Sequence, residues 1–245
     1  MGKYKLLALD MDGTLLNDNH EISLETTNWI HKAMQEGIHV CLSTGRAASS
    51  ALPYGQELGL ETPMVTVNGG EVWKSPRELW RRHLLDKELI RQMKTIADEA
   101  DSWFWAYTTE GLFNTEKWPD SLDEFEWLKF GYNTENDDIR HEILIKLQNL
   151  GGLEITNSSP TNLEINPQGI SKESGVKEVC GLLGITMDEV VAVGDSLNDL
   201  AVIQAVGLGV AMGNAQQTVK EAADLVVASN NDDGIVEVIR DHILV

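Results

Sequence analysis

Leu6-Leu7-Ala8-Leu9-Asp10-Met11-Asp12-Gly13-Thr14 is the stretch whose reading decides the fold. Four consecutive apolar residues, bounded by lysines before and acids after, have the length of a strand buried on both faces. Such strands belong to parallel sheets covered by helices on either side. Asp10 and Asp12 then emerge at the carboxyl end of that strand, where open α/β sheets place their chemistry, and Gly13 lets the chain turn away. Neighbouring carboxylates repel unless a cation or a proton resolves them. An all-oxygen donor set points to Mg²⁺, which keeps several waters and often contacts a phosphate.

Working outward, the same texture recurs. Ser23 caps a predicted helix that runs through Met34 and stops at Gly37. Residues 39–42 form a second strand, followed by Ser43-Thr44-Gly45-Arg46 and a helix to Leu58. Residues 64–67 form a third strand, ending in Asn68-Gly69-Gly70. Alternating strands and helices imply a parallel sheet with right-handed crossovers. The pattern returns after Gly169, with a helix from about Ser171, a strand at 190–193, then Gly194-Asp195-Ser196-Leu197-Asn198-Asp199. Strands at 207–210 and 225–227, a helix after Asn214 and a final helix to His242 complete the chain.

Between these halves lies a different composition. A hairpin over 71–79, a helix capped by Asp86 and reaching Ala100, and paired strands at 103–107 and 111–116 precede an acidic loop at 119–126. A helix at 139–150 and strands at 153–156 and 162–165 follow. The expected organisation is an α/β core, residues 1–83 and 168–245, interrupted by an α+β cap at 84–167. Six of the seven tryptophans fall between Trp73 and Trp127. They can stack on a sugar or base ring, but they more often form the core of a small domain.

Composition narrows the function. With 19 Lys and Arg against 39 Asp and Glu, the formal charge is −20, which disfavours nucleic acid as a partner. The longest apolar stretch, 201–212, is too short to span a bilayer, and no signal-peptide core precedes Asp10. A cytoplasmic location without membrane partners is the expectation. Cys41 and Cys180 sit within a strand-like and a helix-like run and read as small buried hydrophobes. None of the six histidines has metal-ligand spacing with another.

Asp10/Asp12, Thr44, Lys172 and Asp195/Asn198/Asp199 all fall just after strands or at helix starts. In a doubly wound sheet those positions converge on one crevice. The crevice would offer acids for a metal, a hydroxyl and an ammonium for phosphate oxygens, and a carboxylate able to attack phosphorus. A Ca²⁺ loop starting at Asp10 is the competing reading. Its sixth position, however, is Leu15 where a Gly is needed, and a strand, not a helix, leads into it. Thr44 alone could be a helix cap and Lys172 alone an exposed first-turn lysine, although the helix dipole does not favour a cation there. Arg46 reads as structural or rim-lying, and Asn68 as a turn residue or a neighbour of the phosphate.

Taken in order, Asp10-Met-Asp12-Gly-Thr14, Thr44-Gly45-Arg46, Asn68-Gly69, Lys172, Gly194-Asp195-Ser-Leu-Asn198-Asp199 and Gly209-Val-Ala-Met-Gly213-Asn214-Ala resemble the haloacid dehalogenase superfamily of phosphohydrolases. The match is to its Cof-like branch with a type II-B cap. The resemblance implies a doubly wound, Rossmann-like core with an inserted cap that closes over the crevice and selects the substrate. By resemblance, Asp10 is the nucleophile and Asp12 the general acid and then base. Thr44, Lys172 and Asn198 bind phosphate, while Asp10, the Asp12 carbonyl and Asp195 hold Mg²⁺. Asp199 supports that shell from behind. Glu173 replaces a common Gly, Gly70 replaces a common Ala, and the insert is shorter than many of its class.

The function so implied is Mg²⁺-dependent hydrolysis of a small phosphorylated metabolite, such as a sugar phosphate, through an aspartyl-phosphate, by a monomer or homodimer. A phosphotransferase or mutase using the same intermediate is the alternative. A non-enzymatic phospho-receiver is another, although receivers are about half this length and carry no insert.

Overall fold

β1 (Leu6–Leu9) lies near the middle of a parallel sheet in the computed structural model, which describes residues 2–245. In chain order it is followed by α1 (Leu24–Gln35), β2 (His39–Leu42), α2 (Ala48–Glu57) and β3 (Met64–Thr66), then a hairpin of β4 (Glu71–Ser75) and β5 (Glu78–Arg82). The segment after it contains α3 (Lys87–Glu99), β6 (Trp103–Thr108), β7 (Leu112–Asn114), β8 (Trp127–Asn133), α4 (Asp137–Leu150), β9 (Leu153–Thr156) and β10 (Asn162–Pro167). The chain ends with α5 (Lys172–Leu183), β11 (Val190–Gly194), α6 (Leu197–Ala205), β12 (Leu208–Ala211), α7 (Gln217–Ala222), β13 (Leu225–Val226) and α8 (Gly234–Val238).

Two compact units emerge. One holds the chain up to Arg81 together with Lys172–Val245, and the other is Arg82–Ser171. These limits lie two and four residues outside the 84–167 insert expected from sequence.

In the first unit the strand order is β13-β12-β11-β1-β2, all parallel, and a further parallel bridge between Ser43 and Val65 brings β3 beside β2. The four residues of β1 are 0–2% exposed because both faces are covered. Leu7 and Leu9 join Val40, Leu42, Val191 and Val193 in one apolar cluster. Leu6 and Ala8 point the other way, with Cys41, Val190, Ala192 and Val176. This division is the two-residue side-chain period of a strand made visible on both sides. Ser23 caps α1 by accepting the Thr26 N–H, as its position predicts. The final helix is shorter than expected: after Val238 the chain widens into a π-turn over Ile239–Ile243. Cys41 and Cys180 are free buried thiols, and burial pushes the Cys41 thiol up to about 12.

The second unit is an antiparallel sheet, β7-β6-β8-β10-β9, with an apolar cluster formed with α3 and α4. Its central strand, β8, falls where no strand is predicted. Lys129 and Gly131 break the apolar run, yet both are buried for identifiable reasons. Lys129 Nζ is 3.2 Å from Glu164 Oε1 on β10, and the Trp105 ring covers Gly131 so closely that any side chain would collide with it. The tryptophans divide. Trp127 is fully buried in the core and the partly buried Trp118 packs on it at 5.1 Å between centroids, whereas Trp103, and Trp80 of the first unit, are 41% and 49% exposed. No helix among the described residues is long and apolar enough to cross a membrane.

Candidate active site

Asp10 directly follows β1, and its backbone N–H extends the sheet ladder to the Val193 carbonyl at 3.0 Å. Asp195 directly follows β11, the neighbouring parallel strand. Adjacent strand ends thus bring residues 185 positions apart into one cluster. Oxygens of Asp10, Asp195 and Asp199 all lie within 4.8 Å of one another. Lys172, the first residue of α5, is fully buried and donates to Asp10 Oδ1 at 2.6 Å and Asp199 Oδ1 at 2.7 Å.

Three carboxylates, two of them buried and Asp195 partly so, against one ammonium leave the cluster short of positive charge. Burial raises the Asp10 pKa well above the usual carboxylate range, and repulsion from Asp199 adds to this against the pull of Lys172. Burial and Asp199 likewise push Asp195 up to about 6. Burial works against the charge on Lys172, but Asp10 and Asp199 outweigh it and its pKa is raised. The donor set and its unrelieved charge fit a hard divalent cation. Asn198 Oδ1 is also buried with no hydrogen-bond partner among the described residues, while its amide donates to Asn68 Oδ1 at 3.2 Å.

The sequence motif loops are held tightly around this cluster. Gly13 has φ +74°, and a Cβ there would stand 2.6 Å from Asp195 Oδ2, so only glycine lets the Asp10–Thr14 turn pass. Ser196 Oγ donates to Asp195 Oδ2 at 3.0 Å. Asp199, expected behind the metal shell, has an oxygen inside the cluster, and its Oδ2 also accepts the Asp195 and Ser196 N–H groups at 3.3 Å. Thr44 is buried after β2. Its Oγ1 accepts the Arg46 N–H at 3.1 Å, and its carbonyl accepts the Asn68 N–H at 2.9 Å. Val67 and Asn68 both have φ +54°, a backbone conformation costly for β-branched Val67 that persists where surrounding bonds impose it.

Asp12 stands apart from the cluster. Its carboxylate is half exposed and is held by Arg46, Nε to Oδ2 at 2.8 Å and Nη2 to Oδ1 at 2.5 Å. Arg46, read from sequence as structural or rim-lying, is therefore in direct contact with a candidate site residue. Asn214 is a residue to which sequence reasoning assigned no role. It donates to the Gly13 carbonyl at 2.7 Å and accepts the Asn230 N–H at 3.0 Å, bracing the loop from the far side. Its place in Gly213-Asn214-Ala was the available signal.

Acids at adjacent strand ends of a parallel sheet, with a buried lysine opening a neighbouring helix, define an α/β protein suited to phosphoryl-group chemistry. The haloacid dehalogenase-like hydrolase family model matches residues 7–150 and 118–239, and the chain belongs to that family, in its Cof-like branch. It is a phosphatase of the haloacid dehalogenase type. It is 45% identical to a 5-amino-6-(5-phospho-D-ribitylamino)uracil phosphatase of Bacillus subtilis, over 98% of this chain and 96% of that protein. Among solved structures, a haloacid dehalogenase-like hydrolase from B. subtilis superposes with TM-score 0.89 at 24% identity, covering 98% of this chain and 100% of the other. A subclass IIB sugar phosphatase superposes with TM-score 0.87 at 23% identity, covering 97% and 98%.

Proposed function

We propose that the protein is a Mg²⁺-dependent phosphomonoester hydrolase working through an aspartyl-phosphate on Asp10, and that its substrate is a phosphorylated ribitylaminouracil. The largely buried Asp10–Lys172–Asp199–Asp195 cluster carries the chemistry of this reading. The substrate follows from the relative at 45% identity over nearly the whole chain.

Asp10, the Asp12 carbonyl and Asp195 would hold Mg²⁺, with Asp199 adjoining. The bound cation supplies positive charge that relieves carboxylate repulsion and stabilises the transferring phosphoryl group. Lys172 and Thr44 bind the phosphate oxygens, with Asn198 beside them. An Asp10 oxygen attacks phosphorus as the ester P–O bond breaks, and Asp12 gives its proton to the departing oxygen. Asp12 then takes a proton from water as that water attacks the aspartyl-phosphate phosphorus, which frees inorganic phosphate and restores Asp10.

Phosphate release from 5-amino-6-(5-phospho-D-ribitylamino)uracil, sugar phosphates, nucleotides and an aryl phosphate tests the reading. Each is assayed with Mg²⁺, with chelator, and with Asp10→Asn. Turnover that requires Mg²⁺ and is abolished in Asp10→Asn is expected, with the ribitylaminouracil phosphate ranked first. Activity surviving Asp10→Asn would sink the mechanism, and preference for another ester would sink the substrate assignment alone.

A further inference from the structure

Both carboxylate oxygens of Asp12 are engaged by one side chain, Arg46, in a two-point fork at 2.8 and 2.5 Å. A guanidinium has five N–H donors and no acceptor. While the fork is closed, each Asp12 oxygen receives one N–H, which fixes the plane and direction of the carboxylate. The reaction proposed above needs that carboxylate aimed first at the leaving oxygen and then at water.

Arg46 is itself fixed in place. Its N–H is bonded to Thr44 Oγ1 at 3.1 Å, and its carbonyl accepts the Val67 N–H at 2.9 Å from the left-handed turn. Its guanidinium carbon lies 5.2 Å from the Tyr54 ring centroid on α2. Thr44 and the fork thus share one short loop, so the candidate phosphate-binding hydroxyl and the orientation of Asp12 are set by the same backbone. The other titratable neighbour is His20, whose Nδ1 is 3.8 Å from Asp12 Oδ1 on an exposed side chain.

We infer that Arg46 is the positioning residue of Asp12: the two-point fork aims the carboxylate at the leaving oxygen and at the attacking water. This rests on the aspartyl-phosphate reading above. The distinction from a phosphate-binding arginine is chemical. A residue acting through the general acid matters most when the leaving oxygen needs a proton, whereas a phosphate ligand matters equally for every ester of phosphate.

Arg46→Ala and Arg46→Lys are compared with the wild-type enzyme on p-nitrophenyl phosphate, whose leaving group departs unprotonated, and on glycerol phosphate, whose leaving group does not. General acid catalysis contributes roughly 10²–10⁴-fold, so Arg46→Ala should lower kcat on glycerol phosphate at least about tenfold more than on the aryl ester. KM should change little for either. Arg46→Lys should recover part of that gap, because an ammonium restores the charge without the fork. Adding Arg46→Ala to Asp12→Asn should cost nothing further on glycerol phosphate, as expected for residues acting as one unit.

Equal losses on both esters, a defect confined to KM, or additive losses in the double variant would overturn the inference. Should Arg46→Ala fail to fold by circular dichroism, Arg46→Lys carries the test, and an unchanged ester ratio there overturns it. Absence of Mg²⁺-dependent turnover in the wild-type enzyme overturns both readings. Wild-type turnover with an unchanged ester ratio in the variants overturns only this one.

Discussion

Lys172 Nζ stands between Asp10 and Asp199, 2.6 Å from an oxygen of one and 2.7 Å from an oxygen of the other. The three side chains are nearly inaccessible to solvent. The ammonium is the cluster's own countercharge, and its position beside the proposed nucleophile suits it to phosphate oxygens as charge develops there. Lys172→Met should therefore reduce kcat/KM by about 10²–10³-fold, the usual cost of one lost charge-stabilising group. Steady-state kinetics with saturating Mg²⁺ check this, and a loss below about tenfold would contradict the role.

Gly13→Ala should act through Asp195. The new methyl would meet the Asp195 carboxylate at 2.6 Å in a backbone conformation with φ +74°. Left-handed strain at a non-glycine residue costs roughly 1–3 kcal/mol, and displacement of Asp195 should weaken Mg²⁺ binding. Isothermal titration with Mg²⁺ and a thermal melt measure the two effects separately. Unaltered metal affinity would show that Asp195 is not a ligand.

The metal-free protein should become more stable as pH falls from 7 toward 5. Burial, and then the Asp199 charge, push the Asp195 carboxyl up to about 6 from an ordinary 3.8. Its ionised form is thus disfavoured by folding: the penalty is complete above about 6 and fades between there and 3.8. Asp195→Asn removes that contribution and should flatten the profile over this window. Denaturant midpoints at several pH values, in the presence of chelator, provide the comparison.

In the second unit, Lys129 and Glu164 form a buried pair with side chains 2% and 6% exposed, and Ser158 Oγ also donates to Glu164 Oε1. Lys129→Met alone should cost about 3–5 kcal/mol because it leaves a buried carboxylate without its cation. Lys129→Met with Glu164→Leu should recover most of that loss. Urea unfolding followed by tryptophan fluorescence distinguishes them, since Trp127 lies in this unit's core and Trp118 packs on it.

The missed strand and the missed contact have a common cause. β8 carries Lys129 and Gly131 in an otherwise apolar run, and that composition breaks the periodicity by which strands are recognised. Both residues are explained only by partners far along the chain, Glu164 and Trp105. Arg46 escaped for a similar reason: 34 residues separate it from Asp12. The core strands were readable because their signal is local. β1 is a bounded apolar run, and Ser23 is a cap with its N–H partner three residues away.

From residue types and spacing alone, the chain declared a parallel sheet interrupted by an insert, acids at strand ends, and a lysine opening a helix. Those features depend on neighbours within a few residues, where propensity, capping and side-chain period act. Tertiary structure alone decided that Lys172 lies between Asp10 and Asp199, that Asp195 joins them, and that Asp12 turns outward onto Arg46. These are distance-dependent electrostatic facts, most of them between groups far apart in the chain. They exist only once parallel strands set their carboxyl ends side by side.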